Sequence, residues 1–470
     1  MQTLEQKIQA LAGYERIGEK LARRFGDLIA EQDDWGLFRV NPLKFARTYD
    51  LSPRGTLDLF IYAARVGLFD FAFNQLCIGC GGVTFSLDTL SEVKGSAHCT
   101  TCDVDYECSL DDRLEVSFTL NPSVKKLNIN PYADPLSYQR TFFSGNVERP
   151  PEVVARIGGA IIGFMSLPPD GAEVLRFNTA GYKSLGILSI DTHSRVEFDL
   201  RPGGPMKASL GFHPHGAELQ SMPLGIGDVE LAVKNNRATP IGGLIGDGVS
   251  MRQVSQENPP TWLPYVTGKM LLNNQSFREL FRVQALAPDL KLNLKSLTLL
   301  FTDLKGSTEL YDRTGDVYAW QVVQEHFRLL HEAVRAHDGA IVKTMGDAIM
   351  ASFSTSRDAV AAAVEMMKAM EQVNAKVKAD GHETGLKVGL HEGAALAVNA
   401  ESRLDYFGQT VNIAARVQAL AASGEIWLTE PVLAAEGVDD VLKRAGLQRE
   451  RKVVSLKGVG TPTPVFRLSA

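Results

Sequence analysis

From about residue 293 onward, short apolar runs alternate with stretches of helical period. SLTLLFTD (296–303) reads as a strand. Val323, Phe327, Leu330 and Val334 recur at helical spacing over 316–337, and the run stops at Asp338-Gly339. The runs at 340–345 and 348–353 predict two strands with Gly346-Asp347 at a hairpin tip. Ala359, Val360, Ala363, Val364 and Met367 predict a second helix, entered through Thr355 or Ser356 as cap. LKVGLHEGAALAV (386–398) reads as a strand pair or one long bent strand. Its His391 reads as a packed histidine at a strand kink rather than a catalytic one.

The first 290 residues follow other patterns. Asn41-Pro42 is a cap followed by proline at the first helical position, opening PLKFARTY. LSPRG then turns into TLDLFIYAARVGLF, with Leu57, Ile61 and Ala64 on one face and Gly67 as the stop. Two helices joined by a tight turn are the shape of a winged-helix unit. The second helix is largely apolar, with Arg54 and Arg65 its only basic residues, so packing explains it better than a major groove. Between 113 and 250, LEVSFTL, GILSIDT, RVEFDLR, KASLGF and DVELAVKN alternate at period two and predict a sandwich or barrel, read as a sensor.

Composition adds boundaries. A chain of 470 residues holds about three domains. The pattern divides it into a helical, winged-helix-like segment (1–72), a cysteine-rich segment (73–112), a mostly-β region (113–272), a linker (273–292) and an α/β domain (293–470). The net charge of −6 disfavours a general nucleic-acid partner. The longest apolar stretch, IGGAIIGFMSL (157–167), is well short of the ~20 residues that span a bilayer. The start, MQTLEQKIQA, is polar and unlike a signal peptide. A cytoplasmic protein is the expectation, without a membrane partner.

Cys77 and Cys80, then Cys99 and Cys102, give C-x2-C, 18 intervening residues, C-x2-C. That is the spacing of a zinc ribbon, and four thiolates suit one structural Zn²⁺. A redox pair needs only one such motif, and a reducing cytosol disfavours two disulfides. Cys108 falls outside the pattern, and His98 is not needed once four cysteines are present. His213 and His215 in FHPHG read as surface-loop histidines rather than metal ligands.

Asp303 and Asp347 each stand at the end of a predicted strand. Turn aspartates are common, but two carboxylates from neighbouring strands also make a site for hard divalent cations. Asn412 and Arg416 in LDYFGQTVNIAARV share one helix face, with Val411, Ala415 and Val417 as the expected buried side. FTDLKGST, KTMGDAIMASF, DYFGQTVNIAARV and SLKGVG, in that order across about 160 residues, resemble the catalytic domain of class III nucleotidyl cyclases. The resemblance covers roughly 293–470. The arrangement ahead of it resembles an uncharacterised N-terminal domain found on some bacterial adenylate cyclases.

The resemblance implies an α+β fold, a ferredoxin-like βαββαβ core with an added βα section. It implies an adenylate cyclase, a phosphorus–oxygen lyase making 3′,5′-cyclic AMP and pyrophosphate from ATP with two Mg²⁺ or Mn²⁺ per site. Asp303 and Asp347 match the metal ligands, with the Leu304 carbonyl as an extra one. The turn Leu304 to Thr308, through Gly306 and Ser307, matches the triphosphate cradle. Lys343 and Asp405 match the pair that reads the purine edge; lysine to ring N1 and aspartate to the 6-amino group suit adenine, whereas guanine presents the opposite pattern. Asn412 matches the ribose-orienting residue, Arg416 the one that neutralises charge at the α-phosphate, and Lys457 the one that holds the β- and γ-phosphates. In this family the two sets come from different protomers, which implies a head-to-tail homodimer. The N-terminal region is then the regulatory part, with an unknown ligand or partner. The other readings are a cyclase for GTP or a pyrimidine nucleotide, and a zinc-dependent interaction protein carrying an inactive cyclase fold.

Overall fold

The computed structural model describes residues 3–469 except 283, 307–309, 311, 313–314, 380–383 and 402. The chain opens with the helices Leu4–Ala12, Gly18–Ala30, Pro42–Thr48 and Pro53–Arg65. Asn41 caps the third as its sequence predicts, its side chain accepting from Leu43 N. The fourth starts earlier than expected: Ser52 is its cap and Pro53 its first residue, so the Pro-Arg-Gly triplet lies inside the helix. Proline sacrifices no hydrogen bond there, because that N–H has no helical partner.

The fourth helix is buried along most of its length, from Thr56 to Ala63. It packs on a sheet in which Phe69–Leu76 lies between Val83–Leu87 and Leu114–Leu120. Phe60 meets Phe25, Phe45, Phe69 and Phe118 with ring centroids 5.1–5.3 Å apart. Each such buried ring is worth roughly 2–3 kcal/mol. A helix committed this deeply to the core has no face left for a DNA groove.

Two sheets then pack face to face. One orders the strands Ser221–Leu224, Ser194–Leu200, Leu185–Ser189, Ile241–Gly246 and Ile161–Leu167; the other orders Gly216–Ala217, Lys207–His213, Asp228–Asn235 and Ala172–Asn178. Val196, Phe212, Leu224, Leu231 and Val233 fill the space between them. The 113–250 region departs from its reading in two ways. LEVSFTL pairs with Phe69–Leu76 instead of joining the sandwich. The helices Pro135–Phe142, Pro151–Gly159 and Gly248–Glu257 interrupt the strands, the first two opened by prolines that composition alone assigns to loops.

The C-terminal domain runs β1 (Leu292–Lys305), α1 (Asp316–Ala336), β2 (Gly339–Met345), β3 (Ala348–Phe353), α2 (Ser356–Ala379), β4 (Gly385–Ala400), β5 (Arg403–Phe407) and α3 (Gln409–Leu420). It continues through β6 (Glu425–Thr429), β7 (Gln448–Val454) and β8 (Thr463–Ser469). The sheet order is β2-β3-β1-β4-β6-β8-β7, with β5 paired to β4. The 386–398 run is one long strand. Alternation in β1 serves both faces of the sheet: Leu300 and Leu304 enter the core under α1 and α2, while Leu297, Leu299 and Phe301 enter the other.

That second core is shared with the N-terminal part. Leu297, Leu299, Phe301, Leu404 and Tyr406 belong to one buried cluster with Phe60, Phe118 and Phe277. The helix Gln275–Leu280 forms the seam: Phe277 and Phe281 meet Phe71 at 5.8 and 5.0 Å. Gln275 Oε1 accepts from Ile341 N on the edge strand β2 (2.8 Å). Arg278 donates to Leu404 O (3.3 Å) and to the Tyr406 hydroxyl (3.1 Å).

Candidate active site

Asp303 and Asp347 are brought to one end of the sheet. Phe301 pairs with Met350 across β1 and β3, and Ile349 N donates to Thr302 Oγ1 (3.1 Å). That register puts the β2–β3 tip beside the end of β1, and with it Asp347 beside Asp303. Gly346 makes the tip with φ +65, a left-handed conformation that glycine adopts without a steric penalty. Asp347 Oδ2 is buried and has no hydrogen-bond partner. A buried carboxylate oxygen without a protein partner is costly.

Sequence reading missed two residues here. Lys387 faces Asp303 across β1 and β4, and its Nζ lies 3.0 Å from Asp303 Oδ2. Strand alternation gives no hint of it, because the pairing depends on register. His326, fully buried on α1, holds the tip: its Nε2 lies 3.0 Å from the Asp347 carbonyl and its Nδ1 3.4 Å from Met370 Sδ. Burial pushes the imidazole pKa down, which keeps it neutral with Nε2–H as the donor, while both Asp347 and Asp303 oppose that shift. A histidine in line with Val322, Val323 and Leu330 was the available signal.

Lys343 and Asp405, 62 positions apart, form an ion pair of 2.6 Å. Asp405 lies opposite Val398 near the end of β4. Its Oδ1 accepts from Tyr406 N (2.8 Å), which leaves Oδ2 to the lysine. The neighbouring Met345 and Phe407 are 41% and 69% exposed.

Asn412 and Arg416 stand one turn apart on α3. The buried side of that helix is Thr410, Ala414 and Val417; Val411 and Ala415, expected inside, are only half-buried because the helix is rotated slightly on the sheet. Gly389 permits the close approach: a methyl group there would come within 2.1 Å of Gln418 N. Arg416 lies against the Lys457-Gly458 turn, where a methyl on Gly458 would stand 3.4 Å from Arg416 Nη1. Lys457 is exposed, and Leu304 is buried under α1 and α2. Gly306 forms the turn after β1 with φ +86, while Ser307 and Thr308 lie outside the described residues. Among the described residues no hydrogen bond or ion pair joins Asp303 or Asp347 to Lys343, Asp405, Asn412 or Arg416.

The four cysteines make a second centre. All are buried and their sulfurs lie within 4.8 Å of one another. Cys77 Sγ stands 3.8 Å from Cys102 Sγ, and Cys80 Sγ 3.6 Å from Cys99 Sγ. A disulfide needs about 2.05 Å. Corners of a tetrahedron with bonds of about 2.3 Å are about 3.8 Å apart, so the spacing fits a metal ion. Hydrogen bonding to Cys102 above all pushes the Cys77 thiol far down, while Cys102 pushes Cys80 up and Cys77 pushes Cys102 up. Cys108 is a separate buried thiol, His98 pairs with Asp105 at the surface, and His213 lies 3.6 Å from Glu218. The buried His391 bonds Thr429 Oγ1 (2.8 Å) and takes no part in the site.

Residues 3–279 match a family of unknown function (DUF5939). Residues 291–466 match the family described as the adenylate and guanylate cyclase catalytic domain. Over 138 residues the sequence is 29% identical to adenylate cyclase 1 of Rhizobium meliloti, covering 27% of this chain and 21% of that protein. Over 168 residues it is 32% identical to an uncharacterised protein of Mycobacterium tuberculosis, covering 36% of this chain and 40% of that one. Among solved structures, the adenylyl cyclase CyaB from P. aeruginosa overlaps 38% of this chain and 96% of its own, at 23% identity and a TM-score of 0.34. The chain thus spans between about a fifth and two fifths of the length of these curated relatives. No described helix is long and apolar enough to cross a membrane.

Proposed function

The chain belongs to the family of unknown function matched by residues 3–279 and carries an adenylate and guanylate cyclase catalytic domain at 291–466; on that premise we propose that it converts ATP to 3′,5′-cyclic AMP and pyrophosphate. The observation that carries the choice of ATP is the Lys343–Asp405 pair at 2.6 Å. One donor beside one acceptor complements adenine N1 and its 6-amino group. Guanine, with N1–H and O6, meets a like group at both places.

Asp303 and Asp347 would hold the divalent cations, the unpartnered Oδ2 of Asp347 being the best support. Bound there, Mg²⁺ or Mn²⁺ supplies Lewis-acid activation of the ribose 3′-hydroxyl and neutralises phosphate charge. Asn412 orients the ribose. Arg416, braced by the Lys457-Gly458 turn, meets the charge that grows on the α-phosphate, a task its planar fork suits better than an ammonium. Lys457 receives the leaving pyrophosphate, and the Gly306–Thr308 turn takes the triphosphate. The exposed Phe407 and Met345 beside the base-reading pair, and the lack among the described residues of any bond between the two residue sets, support sites shared by two head-to-tail protomers. The βαββαβ order of β1 to β4 is that of a ferredoxin-like core. The four cysteines would hold one structural Zn²⁺. The N-terminal part regulates the enzyme through the shared core, and the location is cytoplasmic.

The test is incubation with each of the four ribonucleoside triphosphates and Mg²⁺ or Mn²⁺, with products identified by mass spectrometry. Cyclic AMP as the sole product is expected. A product from GTP or a pyrimidine nucleotide alone overturns the base reading, and no product under any condition favours an inactive domain.

A further inference from the structure

We propose that the N-terminal region binds a small polyanion carrying a flat ring, the chemistry of a nucleoside phosphate, in the cleft between residues 35–44 and 136–150. The cleft has a volume of about 740 Å³, within the range of small-molecule sites. Arg39, Lys44, Arg140 and Arg149 line it, against one acid, Glu148. Among the described residues none of these four cations has a carboxylate within ion-pair distance.

Two of the guanidiniums are anchored by backbone and still have donors to spare. Arg39 Nη1 donates to Thr141 O (2.6 Å) and Arg149 Nη2 to Cys80 O. Arg149 Nε is buried and has no hydrogen-bond partner. Burial pulls the Arg39 guanidinium below its usual range, so an anion would relieve it. Aromatic rings supply the flat surfaces: Arg140 lies over Trp35 at 5.4 Å and Arg149 over Phe143 at 4.2 Å. Stacked guanidinium and indole planes are the surfaces on which a nucleobase packs. A cleft of this volume fits a free small molecule better than a nucleic-acid strand.

The cleft also has a physical route to the catalytic domain. Thr261 in its wall pairs with Glu148, and Asn41 ties Asn146 to the Pro264 carbonyl. The chain then runs fourteen residues, from 261 to Gln275, whose side chain holds Ile341 N on β2.

The experiment titrates the full chain by calorimetry with 5′-AMP and with inorganic pyrophosphate, followed by hydrogen exchange of each complex. Protection of 35–44 and 136–150 is expected, with 5′-AMP at least tenfold tighter than pyrophosphate. The doubly substituted Lys44→Ser/Arg140→Ser protein, both changes being at exposed positions, should melt with the parent and bind 5′-AMP at least tenfold more weakly. Protection confined to 291–466, equal affinity in parent and variant, or no binding of either probe at millimolar concentration overturns the site. Preference for a single-stranded oligonucleotide over both probes overturns the small-ligand assignment.

Discussion

Lys387 Nζ lies 3.0 Å from Asp303 Oδ2, directly across the β1–β4 register. An ammonium and a divalent cation at one carboxylate repel each other, so the two compete. A partly exposed pair of this kind is worth about 0.5–1 kcal/mol. Lys387→Met should therefore tighten Mn²⁺ binding about two- to fivefold in a calorimetric titration. Weaker or unchanged metal binding would show that the lysine does not guard the site.

Asp303→Ala and Arg416→Ala should each lose at least about a hundredfold in activity if these residues act as proposed. Mixed in equal amounts, they form half heterodimers, each with one intact site of two. About a quarter of parental activity should return. Failure to recover activity at any ratio would count against sites shared by two protomers.

The catalytic domain should not survive excision at residue 290. Leu297, Leu299, Phe301 and Tyr406 are buried against the N-terminal part. Excision bares these apolar side chains to water on one face of the sheet. A fragment of 291–470 is expected to aggregate on size exclusion or to melt more than about 10 °C below the full chain. A monodisperse fragment with the parental melting temperature would mean that the core divides cleanly.

One zinc per chain is expected in the purified protein by metal analysis. Cys99→Ser should lose it and lower the first thermal transition by roughly 5–15 °C. Protein free of zinc after growth in zinc-supplemented medium, with unaltered stability, would reject the metal.

Burial pushes the His391 imidazole down to about 4, against about 6.5 when unfolded. It is neutral in the fold, so below about pH 6.5 only the unfolded chain gains the proton. Its contribution is intact above that pH and is lost on acidification toward about 4. Between about pH 7 and about pH 5 the parent should lose about 2 kcal/mol more than His391→Gln in urea denaturation. Equal losses would place the imidazole in contact with solvent.

Much of the candidate chemistry was legible locally. Asp303 and Asp347 end apolar runs, Asn412 and Arg416 sit four apart on a helix, and the cysteine spacing is that of two knuckles. Each is a short-range pattern tied to strand, helix or turn geometry. Four strands of the sandwich, those in GILSIDT, RVEFDLR, KASLGF and DVELAVKN, were readable in the same way from alternation. The helices between them were not, because Asp134-Pro135 and Pro150-Pro151 open helices with the residues that usually mark loops.

The order of residues alone determined where the strands end, which side chains they carry to those ends, and the repeat of the thiols. Folding in three dimensions decided the rest: that Lys387 faces Asp303, that His326 props the hairpin tip, that four basic side chains line one cleft, and that both halves share a core. Periodicity reports which face of an element is apolar. It is silent on what that face meets, since strand register and packing join positions tens to hundreds of residues apart.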